Sequence, residues 1–401
     1  MKILHTSDWH LGQYFMMKTR ETEHLAFLDW LIELVNKEKI DAVLVAGDIF
    51  DSSSPPSYAR KLYSDFIVKL QTSYCKQLII VSGNHDSVAV LNESKSLLNA
   101  LNVSVLAGLS DNISEHLITL KNSQGEDAAL VCALPFLRAQ DVMTSEHGIS
   151  AEQKKMNLQQ GIQNVYQSLY QLAKQKDPTL PIFATAHLTS VGCSVSESVR
   201  DIYIGTLTAF PAQLFPDFDY IALGHLHRAQ KVQKSETIRY SGSPISLSFD
   251  ESKHSKQVLI VDSSNKPLQV SSIAIPCFQS LRVIEGNLQQ VIEQINAIKD
   301  EDQTQSVWVE VKLKQAHYQS DLQEQLNELI EGSAIEILKV SSPQVSEASQ
   351  WVEQQGETLE TLTPVQLFEH RLSSEENLSD QQQQQLTLLY KQVLADVEHQ
   401  S

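Results

Sequence analysis

The sequence predicts an α/β protein followed by a smaller α+β unit and a C-terminal pair of helices. Three observations carry this reading. Short runs of Val, Leu, Ile and Ala alternate with amphipathic helical stretches, the pattern of parallel strands joined by covering helices. Those runs repeatedly end in a small residue followed by Asp, Asn or His. The length of 401 residues is more than one compact core organises, so two or three domains are expected.

Met1 to Ser7 reads as the first strand, ending in Asp8-Trp9-His10. On an extended segment Asp8 and His10 would share one face and could reach one ion. Taken alone, the pair reads as a strand-end turn with a surface histidine. Leu25, Leu28, Leu31, Ile32 and Val35 give Glu21 to Lys37 the stripe of a helix covering a sheet. The run AVLVAGDIFD, residues 42–51, is a strand apolar on both sides, and the chain is organised around it. It ends at Gly47 and delivers Asp48 to the rim of the sheet, where such folds bind ligands. We read Asp48 as the bridge between two metal ions, and Asp51 as a turn residue or a support behind them. Pro55-Pro56 breaks the chain before a helix over Tyr58 to Leu70. LIIVSGNHD (Leu78 to Asp86) is a further buried strand, ending in Asn84, His85 and Asp86.

Residues 102–136 read as shorter β-segments that end in the buried run AALVCALP, 128–135. Leu158, Ile162, Val165, Leu169 and Leu172 line one face of a helix over 151–174. Ile182 to Ala186 delivers His187, and Asp219 to Leu223 delivers Gly224-His225-Leu226-His227. Taken alone, that histidine pair reads equally as a surface pair and as metal ligands. Ile238 to Pro244 is a strand with a Ser/Gly/Pro turn, and Val258 to Asp262 reads as the last strand of the unit. Beyond Pro276 the pattern is strand, helix (Leu288 to Ile298), strand, helix (Leu322 to Ile330), strand, without a metal-type cluster. A Ser/Glu/Gln-rich linker follows. Thr363-Pro364 then opens one helical stripe, and Ser379 with Gln382 opens another that carries Leu386, Leu389, Tyr390, Val393, Leu394 and Val397. So short a pair buries its stripe only against something else, either the protein's own body or a partner.

Composition narrows the function classes. Apolar runs stop short of a membrane span, and a polar N-terminus argues against secretion. Four scattered cysteines without a CxxC pair argue against a zinc ribbon or disulfide framework and fit a reducing cytoplasm. The net charge is −18, of which residues 301–401 hold −13 and residues 1–300 only −5. No basic patch is visible, so any nucleic-acid affinity must come from local surface, bound metal or a partner protein.

Together the motifs say more than any one of them. Five strand ends supply Asp8 and His10, Asp48, Asn84 and His85, His187, and His225 and His227. These are nitrogen and oxygen donors without thiolate, which suit Mn²⁺, Fe²⁺, Mg²⁺ or Zn²⁺. Asp48 is the one carboxylate central enough in the order of strands to bridge two ions. The ordered set DxH, GDxFD, GNHD, H and GHxH, over residues 1–265, resembles that of the calcineurin-like binuclear metallophosphoesterases. The resemblance implies a metallophosphoesterase sandwich of mixed β-sheets flanked by helices. One ion would be held by Asp8, His10, Asp48 and His227, the other by Asp48, Asn84, His187 and His225. His85 would protonate the leaving oxygen, with Asp86 orienting its ring. Ser241 to Pro244 would line the site.

Within that family, DWHLGQ, YIGT, GHLHR, YSGSPI and the long C-terminal extension are similar to the bacterial nuclease subunits of double-strand-break repair. This likeness implies two Mn²⁺ ions, with Mg²⁺ or other divalent ions as alternatives, and DNA as substrate. Hairpins and single strands would be cut internally, and duplex ends degraded with ATP, in DNA repair, replication and recombination. It divides the chain into a nuclease domain (1–275), a DNA-facing capping domain (276–345), a linker (346–362) and a helix pair (363–401). The helix pair would dock on an SMC-like coiled-coil ATPase, and two nuclease subunits would pair in a two-plus-two complex. The expected location is the cytoplasm, at the nucleoid, with no membrane contact. Arg200 and Tyr203 are candidates for touching a phosphate backbone or for a structural role.

Overall fold

A computed structural model describes residues 1–143, 150–199, 209–264, 266–301, 305–314, 319–341, Phe368, Leu372 and 380–398. The chain forms two compact units, Met1–Val283 with Gln303–Val309, and Ile284–Asp302 with Glu310–Ser401.

The first unit is built on two six-stranded sheets. One runs in the order Gln269–Ala274, Gln257–Asp262, Lys2–Thr6, Ala42–Ala46, Gln77–Val81, Val103–Leu106. Its last four strands are parallel, and the first two pair antiparallel. The other runs Gln230–Lys231, Ile238–Tyr240, Tyr220–Gly224, Ile182–His187, Asp127–Cys132, Leu117–Lys121. Its four central strands are parallel, and both edge strands are antiparallel to their neighbours.

The two-residue period of a strand explains the layering. Leu4, Val43, Val45, Leu78 and Ile80 pack on helices Glu21–Glu38 and Ser57–Thr72. Their neighbours Ile3, Leu44, Ala46, Ile79 and Val81 pack on Ala129, Val131, Phe183, Tyr220 and Ala222 of the second sheet. Leu130, Cys132, Ile182, Ala184, Ile221 and Leu223 face the opposite way, onto Leu158, Ile162, Tyr166 and Leu169 of helix Ala151–Lys176. The result is a helix–sheet–sheet–helix sandwich with apolar material on both faces of each sheet. That accounts for strands that read as continuous apolar runs. The Ser150 hydroxyl accepts from the Gln153 amide and caps the last of these helices.

The structure departs from the sequence reading in three places. Val258 to Asp262 is not the last strand, because Gln269–Ala274 adds an edge strand. Its QVSSIA sequence is largely exposed and lacks the apolar run that marks the others. A hairpin, Tyr14–Phe15 with Lys18–Thr19, follows the first motif. Asp8 and His10 do not sit on an extended segment, since the strand ends at Thr6 and both have left-handed backbones, φ 54° and 46°.

The second unit is organised on a three-stranded sheet, Ser280–Gly286, Val307–Leu313, Ile335–Ser341, and the division between units runs inside the first two strands. Its helices are Leu288–Lys299, opened by a reciprocal Asn287–Gln290 cap, and Gln319–Ile330. Among the described residues, no group of possible metal-holding side chains lies in this unit. The expected linker at 346–362, the Thr363-Pro364 cap, and Arg200 and Tyr203 lie outside the described residues. So does the first C-terminal helix, apart from Phe368 and Leu372. The second is present as Asp380–Glu398, where the Tyr390 ring stacks on Phe368 at 3.9 Å. Among the described residues no helix is long and apolar enough to cross a membrane.

Candidate metal centre

Parallel strands of both sheets end at one place and pass their next residues into short loops. The loops interlock through backbone bonds: Asp8 N–H donates to Gly47 O at 2.9 Å, and His10 N–H to Asp48 O at 3.1 Å. Four of the motif residues hold positive φ, namely Asp8, His10, Asp48 (51°) and His225 (94°). Non-glycine residues adopt that region only where their surroundings impose it. Two motif glycines are there because loops meet. A Cβ on Gly83 would stand 2.1 Å from Asp48 Oδ1, and one on Gly224 would stand 1.9 Å from Ala46 O.

The loops gather the ring nitrogens and carboxylates into three adjoining groups among the described residues, one of them His10, Asp51 and His85. Asp8, His10 and His227 each offer a ligand atom, all within 4.8 Å of one another, and so do Asp48, His187 and His225. Asp48 Oδ2 stands between them, 3.5 Å from His10 Nε2 and 3.2 Å from His187 Nε2. Asn84 Oδ1 lies 3.0 Å from His187 Nε2 and 3.1 Å from His225 Nδ1. The second oxygen of Asp48 accepts from His85 N–H at 2.9 Å, and Asp8 Oδ1 accepts from His225 N–H at 2.8 Å. Asp8, His10, Asp48, His187, His225 and His227 are all buried.

The rings are held from behind, which fixes the nitrogen each presents. His187 Nδ1 meets Ala46 O at 3.0 Å, and His10 Nδ1 meets Asp51 Oδ1 at 3.2 Å. A carbonyl or carboxylate only accepts, so the hydrogen sits on Nδ1 and Nε2 is turned inward. Asp51 is thus a support for His10. Ser241 Oγ lies 2.8 Å from Ser7 Oγ, which donates to Asp8 Oδ2, so this turn sits behind a carboxylate.

The side chains of the centre perturb one another strongly. Burial disfavours the Asp48 carboxylate, but His187 and His10 outweigh it and hold the group well below its ordinary range. Burial likewise opposes charge on His187, yet Asp48 raises it to about 9. His10 is raised too, since Asp51 and Asp48 overcome its burial. Burial and the neighbouring His187 charge push His225 well below the usual histidine value. Positive charge is therefore drawn to the position beside Asp48, and His10 Nε2 is buried without a hydrogen-bond partner. Nitrogen and oxygen donors, a cation-seeking carboxylate and an orphaned ring nitrogen fit divalent ions.

A pH dependence follows. Below about pH 9 the ion-free centre keeps a proton on His187, and a metal ion must displace it. Loading at pH 7.5 is expected to release about one proton or more, read as a buffer-dependent heat in titration calorimetry. Affinity should rise as pH climbs toward 9, and loading without proton release would contradict this account.

Two side chains behave differently from the sequence reading. Asp86 does not orient His85. Its Oδ2 accepts from Ile49 N–H (3.1 Å) and Gly83 N–H (2.8 Å), and its Oδ1 from Phe50 N–H (2.9 Å). It ties together the two loops that carry Asp48 and Asn84. Burial and the charge of Asp48 raise this carboxyl to about 6. The His85 ring is held instead by the carbonyl oxygen of Asp51, 2.7 Å from Nδ1. The sequence reading assigned nothing to Glu251, which lies in a polar SFDESKHSK stretch with no motif around it. The structure buries it beside His227, with Nδ1 3.2 Å from Oε1.

Residues 1–229 match the family described as calcineurin-like phosphoesterase, and residues 277–376 match that described as type 5 capsule protein repressor C-terminal domain. The chain is 45% identical over 399 residues to the SbcD subunit of the nuclease SbcCD of Escherichia coli K12, covering 98% of each chain. It is 37% identical over 270 residues to that of Rhodobacter capsulatus, 65% of this chain and 66% of the relative. It is 29% identical over 324 residues to that of Bacillus subtilis, 79% of this chain and 80% of the relative. The chain therefore belongs to the calcineurin-like phosphoesterases and, within them, to the family of the SbcD subunit of the nuclease SbcCD.

Proposed function

We propose that this chain is the nuclease subunit of an SbcCD-type complex and hydrolyses DNA phosphodiester bonds at a centre of two divalent ions, Mn²⁺ by preference. One ion would be held by Asp8, His10, Asp48 and His227, the other by Asp48, Asn84, His187 and His225. The observation that carries this reading is Asp48 Oδ2, within 3.5 Å of inward-turned nitrogens from both ligand groups. When bound, the ions supply charge neutralisation at the phosphate and activate the attacking water. Asp48 would join them. Asp86 holds the two loops in register. His85, its Nδ1 anchored on Asp51 O, has Nε2 as the position from which a proton reaches the leaving oxygen.

The same reading covers the rest of the chain. Residues 276–345 would face DNA, and the C-terminal helices would dock on the coiled coil of an SbcC-type ATPase. Leu388 and Leu389, 64% and 59% exposed on helix Asp380–Glu398, support a docking role. Val68 and Leu97, 61% and 66% exposed, flank an apolar groove along Tyr63, Ile67, Leu98 and Leu101, which supports a homodimer inside a two-plus-two complex. A net charge of −18 leaves the ATPase to supply basic surface. The complex would cut hairpins and single strands internally, digest duplex ends with ATP, and act in repair, replication and recombination in the cytoplasm, at the nucleoid.

The test is incubation with Mn²⁺ and labelled hairpin and duplex DNA, with and without the ATPase, beside nitrophenyl monoester and diester substrates. DNA cleavage that needs the ion, with duplex digestion that needs the ATPase and ATP, is expected. Monoester turnover without DNA cleavage would instead mark a small-molecule phosphoesterase.

A further inference from the structure

We infer that Glu251 is a positioning residue of the metal centre: its carboxylate fixes the His227 ring and thereby sets the affinity for the ion shared with Asp8 and His10. This rests on the two-ion reading proposed above.

Glu251 is 1% exposed and both its oxygens are fully engaged. Oε1 lies 3.2 Å from His227 Nδ1, accepts from Ser198 Oγ and from Ser196 Oγ (3.1 Å), and has Ser248 Oγ at 3.2 Å. Oε2 accepts from Lys256 Nζ (2.6 Å) and Leu247 N–H (3.1 Å), with Ser243 Oγ 3.2 Å away. Lys256 Nζ also donates to His227 O at 3.2 Å, so one cation grips the backbone and the support of the same ligand.

The proton arrangement follows from these contacts. Ser198 Oγ lies 2.6 Å from His227 Nδ1 and also bonds Glu251. A hydroxyl has one hydrogen, and a carboxylate takes it in preference to a neutral ring nitrogen. Nδ1 must then be a donor, toward Ser198 Oγ and Glu251 together. The lone pair is left on Nε2, the form a metal requires. His187 has a backbone carbonyl behind it and His10 a partly exposed Asp51. His227 alone of these three has a buried carboxylate that is itself clamped by a lysine.

The test uses Glu251→Gln in the full chain, which keeps shape and removes charge. Calorimetric titration with Mn²⁺ is expected to show one of the two ions bound about 10–100-fold more weakly, the other unchanged. In ion-free wild-type protein, ¹⁵N NMR should find the His227 hydrogen on Nδ1, a readout that needs no variant. Unchanged affinity for both ions, equal weakening of both, or a wild-type hydrogen on Nε2 overturns the inference and leaves Glu251 as scaffold. Failure of the two-ion reading shows separately, as a wild-type titration that stops short of two ions whatever the His227 tautomer.

Discussion

Replacing Gly83 with alanine is expected to lower the phosphodiesterase rate by about 100-fold or more and to weaken ion binding, although Gly83 is no ligand. The added Cβ would stand 2.1 Å from Asp48 Oδ1 and 2.4 Å from Asp48 N, so something must move. Neither side can move freely. Asp48 Oδ1 is bonded to His85 N–H, and Gly83 N–H is bonded to Asp86, which also holds Ile49 and Phe50. The relief available is to shift Asp48, the carboxylate both ions would share. A displacement of about 1 Å at a reacting centre is enough for a loss of this size. Steady-state kinetics with Mn²⁺ titration reads both effects. Wild-type rate and affinity would mean that the loops are not packed against each other as described.

His85→Gln is expected to lower kcat on DNA by about 10²–10⁴-fold while leaving two ions bound. Its ring is anchored on Asp51 O and lies against His10, with ring centroids 4.7 Å apart, so it borders the ligands. Glutamine fills similar space but cannot hand over a proton. An alkoxide leaving group needs that proton, whereas a nitrophenolate does not. The loss should therefore be much smaller on a nitrophenyl diester than on DNA. Equal losses on both substrates, or loss of an ion, would remove His85 from the role of general acid.

The fold and the contact-making residues were legible for one reason. Strands apolar on both faces advertise a buried sheet, and a polar ligand-type residue directly after each one has few other reasons to be there. Asp48, His187 and the His225–His227 pair stood out in this way, and the structure brings them together. What supports them was not legible. The family resemblance made Asp86 the partner of His85, yet its carboxylate is turned to backbone amides of two loops. Glu251 is 24 residues beyond His227, inside a short 3₁₀ turn (Phe249–Lys253) of a polar stretch that has no period. The DxH spacing suggested a shared face by strand alternation, whereas left-handed backbones bring Asp8 and His10 to the cluster with His227. Edge strand Gln269–Ala274 was hidden by its exposure. Tertiary contacts set all four of these, and no local pattern records them.

Anomalous diffraction from crystals loaded with Mn²⁺ tests most directly whether two cations share Asp48. Two peaks about 3.5–4 Å apart are expected, one on each side of Asp48 Oδ2, one among Asp8, His10 and His227, the other among Asn84, His187 and His225. A single peak, or peaks away from Asp48, would contradict the account.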